Sequence, residues 1–212
     1  MIYYYWKAEI SKEDCETLIE EFDFSSAEEA SMGNYPATEI YYPEQTEIIK
    51  KEGNWDYLHN KPKAFEGRTD LQVRRTELNW LPINHKFNKI LCDYVIRGNE
   101  IQYHYNLTKF TPCQFAKYNV GDFYNFHQDS EHSHKDYEEE TRKLSMTVQL
   151  SDPETYEGGE FYFYDGDKKT EPLLREQGSI IIFDSREWHR ISPVTEGVRY
   201  SLASWTLGPA FK

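Results

Sequence analysis

His127 and Asp129 stand one residue apart, His189 follows sixty positions later, and Arg199 comes ten further on. Side chains so widely spaced can act together only if distant segments are folded to one place. Residues i and i+2 of a strand point to the same side. If 127–129 is extended, His127 and Asp129 project together and His189 must arrive from another strand. Two neutral imidazole nitrogens and one carboxylate suit Fe(II) and leave positions open for a co-substrate and O2. The competing reading is a surface His-x-Asp with an unrelated core histidine, because so short a motif arises often by chance.

Arg199 has a context of its own. The run from Val198 to Trp205 alternates, which places Arg199, Ser201, Ala203 and Trp205 on one face. Arginine grips a carboxylate through two parallel hydrogen bonds, and Ser201 could add a third donor. A cation buried in a barrel needs an anion beside it. The alternative is a structural ion pair with one of the chain's many acidic residues.

Elsewhere the pattern separates a helical first part from a strand-rich second part. Residues 2–7 read as an opening strand. Ser11 offers an N-cap with Asp14 placed to close a capping box, and Cys15, Leu18, Ile19 and Phe22 repeat at helical spacing. The tract from Ser25 to Gly67 contains Pro36, Pro43, Gly53 and Pro62 and keeps no period, so it reads as long loops. Tyr41, Tyr42, Trp55 and Tyr57 within it are candidate linings of a substrate channel. A second amphipathic helix is predicted over 84–98, with Phe87, Ile90, Leu91, Tyr94 and Val95 on its stripe and Gly98 as a stop.

Strands are predicted over 101–110, 113–119, 143–150, 160–165, 179–184 and 198–206. Leu144, Met146, Val148 and Leu150 alternate with Ser145, Thr147 and Gln149. The polar set is read as facing a cavity, where Thr147 or Gln149 would touch a co-substrate. No repeat appears, and one domain over 1–212 is expected: support and lid loops to about residue 100, then a core over 101–209.

With 212 residues the chain can bury a full barrel core. A formal charge of −13 argues against a nucleic-acid surface, which needs clustered Lys and Arg; Arg74-Arg75 is no stripe. Cys15, Cys92 and Cys113 are isolated and odd in number, and read as reduced, buried thiols. With no 18-residue apolar run and no signal-like start, a soluble cytoplasmic protein without membrane contact is expected. His132 and His134 read as solvated loop residues. Asp136 to Glu140 could form an acidic rim that selects basic peptides.

These segments carry a resemblance. Gln114 to Asp129, with its tyrosine, glycine and His-x-Asp, resembles the first metal passage of 2-oxoglutarate-dependent prolyl hydroxylases. Gly158-Gly159-Glu160-Phe161 resembles their Gly-Gly-Glu turn. Gly178 to Phe183 with Trp188 to Val194 resembles their second histidine strand, and Gly197 to Leu202 completes the series. Arg75 to Pro82 is similar to the stretch before the barrel in PKHD-type hydroxylases.

The resemblance implies an α+β, mainly β fold: a double-stranded β-helix (jelly roll) buttressed by N-terminal helices. It implies Fe(II), 2-oxoglutarate and O2, with ascorbate as a reductant. The keto acid would chelate iron and be cleaved to succinate and CO2 while a hydroxyl is placed on a substrate carbon. Its far carboxylate would meet Arg199, with Tyr118 donating a hydrogen bond. Related halogenases lack the carboxylate that Asp129 supplies, so hydroxylation is expected. Trp205 matches a tryptophan near iron and would line the substrate pocket with Tyr124, Arg75 and Trp55. Nucleic-acid demethylases of related fold carry a second arginine where Trp205 stands, which disfavours that group. The expected substrate is a prolyl or similar residue in a protein or peptide; the alternatives are a free amino acid or small metabolite, and a metal-binding protein without turnover.

Overall fold

The computed structural model describes residues 3–22, 28–29, 74–130, 140–164 and 175–211. Trp55, Tyr41, Tyr42, Tyr57, His132 and His134, and most of the proposed acidic rim, lie outside them. Chain order begins with β1 (Tyr3–Trp6), α1 (Lys12–Glu21), β2 (Glu28–Glu29), β3 (Arg74–Arg75), β4 (Glu77–Trp80) and α2 (Lys86–Gly98). Strands β5 (Lys109–Phe110), β6 (Gln114–Tyr118), β7 (Phe123–His127), β8 (Glu140–Gln149), β9 (Tyr156–Gly158) and β10 (Phe161–Phe163) follow. The chain closes with β11 (Ile180–Asp184), β12 (His189–Ile191), β13 (Val194–Gly197) and β14 (Arg199–Pro209).

Two sheets face each other. The larger runs β1-β11-β8-β14-β6-β4-β2, with β5 added beside β14; the smaller runs β10-β12-β7-β3. All pairs are antiparallel. This is the jelly roll expected. Alternation decides which residues enter it. Leu144, Met146, Val148 and Leu150 of β8 and its end join Ile180, Ile182 and Leu202 in the main core cluster, together with Cys15 and Leu18 of α1 and Leu91 and Val95 of α2. The helices therefore cover the outer face of the larger sheet. Ser145, Thr147 and Gln149 turn the other way, into the space between the sheets.

Local chemistry explains the helices. The Ser11 hydroxyl accepts the Asp14 N–H at 3.1 Å and itself donates to the Asp14 carboxylate at 2.8 Å. In α2 the buried Asn88 amide donates to the Pro82 carbonyl at 2.8 Å, and its oxygen accepts the Cys113 N–H at 3.0 Å. That single side chain ties the helix to the entry of β6.

Two expectations need correction here. The α-helix ends at Gly98 as expected, but not on a left-handed glycine cap: the backbone there is still helical (φ −63°, ψ −37°) and the chain continues through a π-helical turn over Asn99–Tyr103. A Cβ at Gly98 would lie 3.1 Å from Ile182 Cδ1 and 3.2 Å from Trp6 Cη2, so glycine is there to let the helix reach the sheet. The strand expected over 101–110 shrinks to Lys109–Phe110. Asn99 holds the turn, its side chain bonding both the N–H and the carbonyl of Tyr105. Tyr103 donates to the Ile182 carbonyl at 2.9 Å and Tyr105 to Asp184. The aromatic content of this run reflects anchoring to β11, not strand pairing.

Candidate active site

His127 ends β7 and His189 begins β12, and the two are directly opposed in the ladder. Asp129 follows the end of β7 in a bend, so the local geometry differs from the extended 127–129 expected. The convergence holds nonetheless. His127 Nε2 lies 3.5 Å from Asp129 Oδ1, and His189 Nε2 lies 3.5 Å from Asp129 Oδ2. All three are buried, and their ligand atoms fall within 4.8 Å of one another.

The tautomers follow from the partners. His127 Nδ1 donates to the Asn125 carbonyl at 2.8 Å and His189 Nδ1 to the Glu187 carbonyl at 2.9 Å. A carbonyl only accepts, so each Nδ1 carries the proton and each Nε2 turns a lone pair toward the carboxylate. Ligands about 2.1 Å from a common ion and at right angles to one another stand about 3 Å apart, close to the spacing found. The donor set therefore fits a divalent transition metal with little adjustment.

Electrostatics keep it ready. Burial, then the neighbouring His127, pushes His189 down to about 4, so its imidazole is neutral near pH 7. Burial alone would raise the Asp129 carboxyl; the two imidazoles and a hydrogen bond from Ser145 outweigh it and hold the group below the usual range. Because His189 is uncharged at that pH and both Nε2 atoms present lone pairs, we assign the larger share to the hydrogen bond that Ser145 donates to the carboxylate.

Arg199 enters from β14, opposite Tyr118 of β6, and is 1 % exposed. Its guanidinium donates to Ser201 Oγ at 3.1 Å and to Gln149 Oε1 at 2.7 Å. Both partners are neutral. Arg199 Nε and Gln149 Nε2 are buried with no hydrogen-bond partner, and no carboxylate of the described residues pairs with Arg199. The Tyr118 ring lies 5.2 Å away, and Thr147 occupies the neighbouring inward position on β8, across from Ala203. A buried cation with donors to spare fits a carboxylate ligand.

Gly159 makes room for this side chain. It sits at φ +60°, and a Cβ there would lie 2.8 Å from Arg199 Cδ. The Gly-Gly turn thus serves the arginine as well as the chain reversal.

Trp205 faces the same space beneath the Arg142 guanidinium at 3.9 Å, with Trp80 at 6.4 Å. Tyr124 stacks on His127 with ring centroids 3.5 Å apart. Burial first, with the nearby Asp129 adding to it, raises the Tyr124 phenol well above its ordinary value. Arg75, by contrast, is not at the site: its side chain is 63 % exposed and pairs with Asp122 at 3.1 Å. Its neighbour Arg74 points inward instead, because the register sets Arg74 against Tyr124. A two-residue strand offers no alternation from which to choose between adjacent arginines.

Ser145, Ser185 and Arg142 belong to the site without having been singled out. Ser145 Oγ donates to Asp129 Oδ2 at 2.6 Å and lies 2.9 Å from Ser185 Oγ; Arg142 donates to the Asp129 carbonyl at 3.2 Å. Ser145 was within reach, being part of the inward polar set of β8. Glu140, the one described member of the proposed acidic rim, pairs with Lys109 at 2.7 Å instead of standing free.

Comparison with known proteins agrees with this geometry. The family model of the 2OG-Fe(II) oxygenase superfamily matches residues 113–207. A PKHD-type hydroxylase of Hyphomonas neptunium is 33% identical over 141 residues, covering 66% of this chain and 62% of that protein. Another, from Stenotrophomonas maltophilia, is 35% identical over 98 residues, covering 46% and 43%. The match thus spans less than two thirds of the length of these relatives. Among solved structures, a Pseudomonas putida prolyl-4-hydroxylase superposes with a TM-score of 0.60 at 17% identity, covering 97% of this chain and 92% of that one. The viral collagen prolyl hydroxylase of Paramecium Bursaria Chlorella virus-1, in its 2OG complex, gives 0.58 at 20% identity, covering 98% and 97%. At such identities the structures show the shared fold. The matched segment carries both histidines, the aspartate and the arginine in order, so over residues 113–207 the chain is similar to the 2OG-Fe(II) oxygenase superfamily.

Proposed function

We propose that this protein is an Fe(II)- and 2-oxoglutarate-dependent dioxygenase that hydroxylates a prolyl or similar residue of a protein or peptide. The observation that carries the reading is one inner surface. A buried His127–Asp129–His189 cluster shares it with Arg199, a buried guanidinium that has no carboxylate partner among the described residues. His127, Asp129 and His189 would hold the metal, and Arg199, Ser201, Gln149, Thr147 and Tyr118 the 2-oxoglutarate. When bound, iron and the keto acid supply the O2-dependent oxidation, with release of succinate and CO2.

The chain's own residues perform the rest. The two imidazoles present fixed lone pairs, because backbone carbonyls hold their other nitrogens. Ser145 holds Asp129, and the apolar rings of Phe161 and Phe183 around His189 exclude water from one side. Trp205 and Tyr124 would form the pocket wall against which the substrate carbon is placed.

Prolyl hydroxylases of the same fold, one of them a Trichoplax adhaerens enzyme solved with a hypoxia inducible factor peptide fragment, support a protein or peptide substrate. A free amino acid or small metabolite is the second reading. Succinate formation with candidate prolyl peptides and with free proline separates them: turnover with free proline alone removes the peptide reading.

Three further points belong to the proposal. Ascorbate would serve as reductant. A reducing, cytoplasmic setting is supported by three free, buried cysteines, whose thiols burial pushes up to about 12. No helix of the described residues is long and apolar enough to cross a membrane. A single working unit is supported by β1 pairing with β11 and by α1 sharing the main core.

A further inference from the structure

We propose that Arg74, together with Gln114, forms a second anion subsite, one that takes a carboxylate of the substrate. This rests on the dioxygenase reading and narrows its substrate class.

Arg74 is 8 % exposed. Its Nη2 donates to Gln114 Oε1 at 3.0 Å, and its guanidinium carbon lies 4.4 Å from the centre of the Tyr124 ring. Arg74 Nε is buried and has no hydrogen-bond partner. Both of these partners, Gln114 and Tyr124, are neutral groups, and among the described residues no carboxylate pairs with Arg74. The contrast with its neighbour is direct: exposed Arg75 has Asp122, whereas buried Arg74 has no anion among the described residues. Arg142, the other inward arginine on this side, is served by the carbonyl and carboxylate of Asp129.

A guanidinium taken out of water without a counter-charge costs several kcal/mol, so such a site is built for an anion that arrives. Its placement says which one. Arg74 bridges the two sheets, since it extends from β3 of the smaller sheet to Gln114 on β6 of the larger. The Tyr124 ring touches both Arg74 and His127, which puts the cation one ring away from the proposed metal ligands. Arg199 already claims the keto acid. The remaining anion is the substrate's own, held beside the carbon to be hydroxylated. One guanidinium next to one neutral amide balances a single negative charge, which selects a carboxylate over a phosphate dianion.

Three sources offer that carboxylate: a free amino acid, the terminus of a chain, or an acidic side chain next to the target residue. Binding can be read without turnover on the Mn(II)-loaded protein with saturating 2-oxoglutarate, by tryptophan fluorescence, since Trp80 and Trp205 line the space. Three matched pairs serve as probes: L-proline and L-prolinamide, Gly-Pro and Gly-Pro-amide, and acetyl-Gly-Pro-Asp-amide and its Asn counterpart. The carboxylate member of one pair should bind at least tenfold tighter than its amide, and that pair names the source. In Arg74→Gln the preference should vanish while 2-oxoglutarate binds as before. Arg74→Lys, which keeps the charge, should retain part of it, and a thermal melt confirms that both variants fold. Equal binding within all three pairs overturns the proposal, as does a preference that survives Arg74→Gln, or a loss of 2-oxoglutarate binding in that variant. Failure of the dioxygenase reading looks different: the unmodified protein would then bind no 2-oxoglutarate at all.

Discussion

Ser145 Oγ donates to Asp129 Oδ2 at 2.6 Å, and Ser185 Oγ stands 2.9 Å behind it. The two hydroxyls fix the rotation of the one carboxylate in the metal cluster. Outer partners of metal ligands are commonly worth ten- to a hundredfold in affinity. Ser145→Ala should therefore weaken Mn(II) binding by about tenfold or more, measured by competition titration with a chelator. Ser145→Thr, which keeps a hydroxyl, should restore most of it. Unchanged affinity in the alanine variant would mean that the imidazoles alone orient Asp129.

Arg199 is the test of the co-substrate. A lysine ammonium cannot reproduce the planar fork that meets a carboxylate. Arg199→Lys should lower 2-oxoglutarate affinity about tenfold and Arg199→Ala about a hundredfold, on the scale of charge-assisted hydrogen bonds. Calorimetric titration of the Mn(II)-loaded protein reads both. If Arg199→Ala bound the keto acid normally, the diacid would lie elsewhere.

The metal-free protein should lose stability as pH falls from about 6.5 toward 4. His189 titrates at about 4 when folded, against 6.5 for the exposed ring, with burial as the first cause. Between those values the unfolded chain takes up a proton that the folded chain refuses, so acid favours unfolding. The full difference corresponds to about 3 kcal/mol as an upper bound. Denaturant midpoints at pH 7, 5.5 and 4.5 measure it. His189→Gln should flatten the profile over this window, and an unchanged slope in that variant would assign the effect to another group.

Much of the site could be read from spacing because the strands carrying it are long or strongly patterned. On β8, the split of Leu144, Met146 and Val148 from Ser145, Thr147 and Gln149 gave both the helix-covered and the cavity face. On β14, Arg199, Ser201 and Trp205 fell on one side as alternation requires. What escaped was non-local. Arg74 and Arg75 sit in a two-residue strand whose facing is set by β7, so nothing in the chain near them distinguishes the inward residue. The Ser145–Ser185 pair joins strands forty residues apart and is decided by the β8–β11 register. Gly98 reads as a stop and the α-helix ends there, yet its reason for being glycine is a tryptophan and an isoleucine from two other strands.

Gly159 joins the fold to the site, and its replacement should show both effects at once. At φ +60° any side chain is strained, and a Cβ would stand 2.8 Å from Arg199 Cδ and 3.0 Å from Val194 Cγ2. Gly159→Ala should cost about 1–3 kcal/mol of stability from the left-handed backbone and crowding. The methyl also presses on the stem of the arginine that is proposed to hold the diacid, so 2-oxoglutarate affinity should fall several-fold beyond any loss of folded protein. Gly98→Ala supplies the comparison. Its backbone is helical and its crowded neighbours, Ile182 and Trp6, lie on the far side of the larger sheet from the site. It should shift the denaturant midpoint while leaving 2-oxoglutarate affinity of the folded fraction unchanged. Equal effects of the two substitutions on affinity would show that the Gly-Gly turn contributes to stability alone and has no part in placing Arg199.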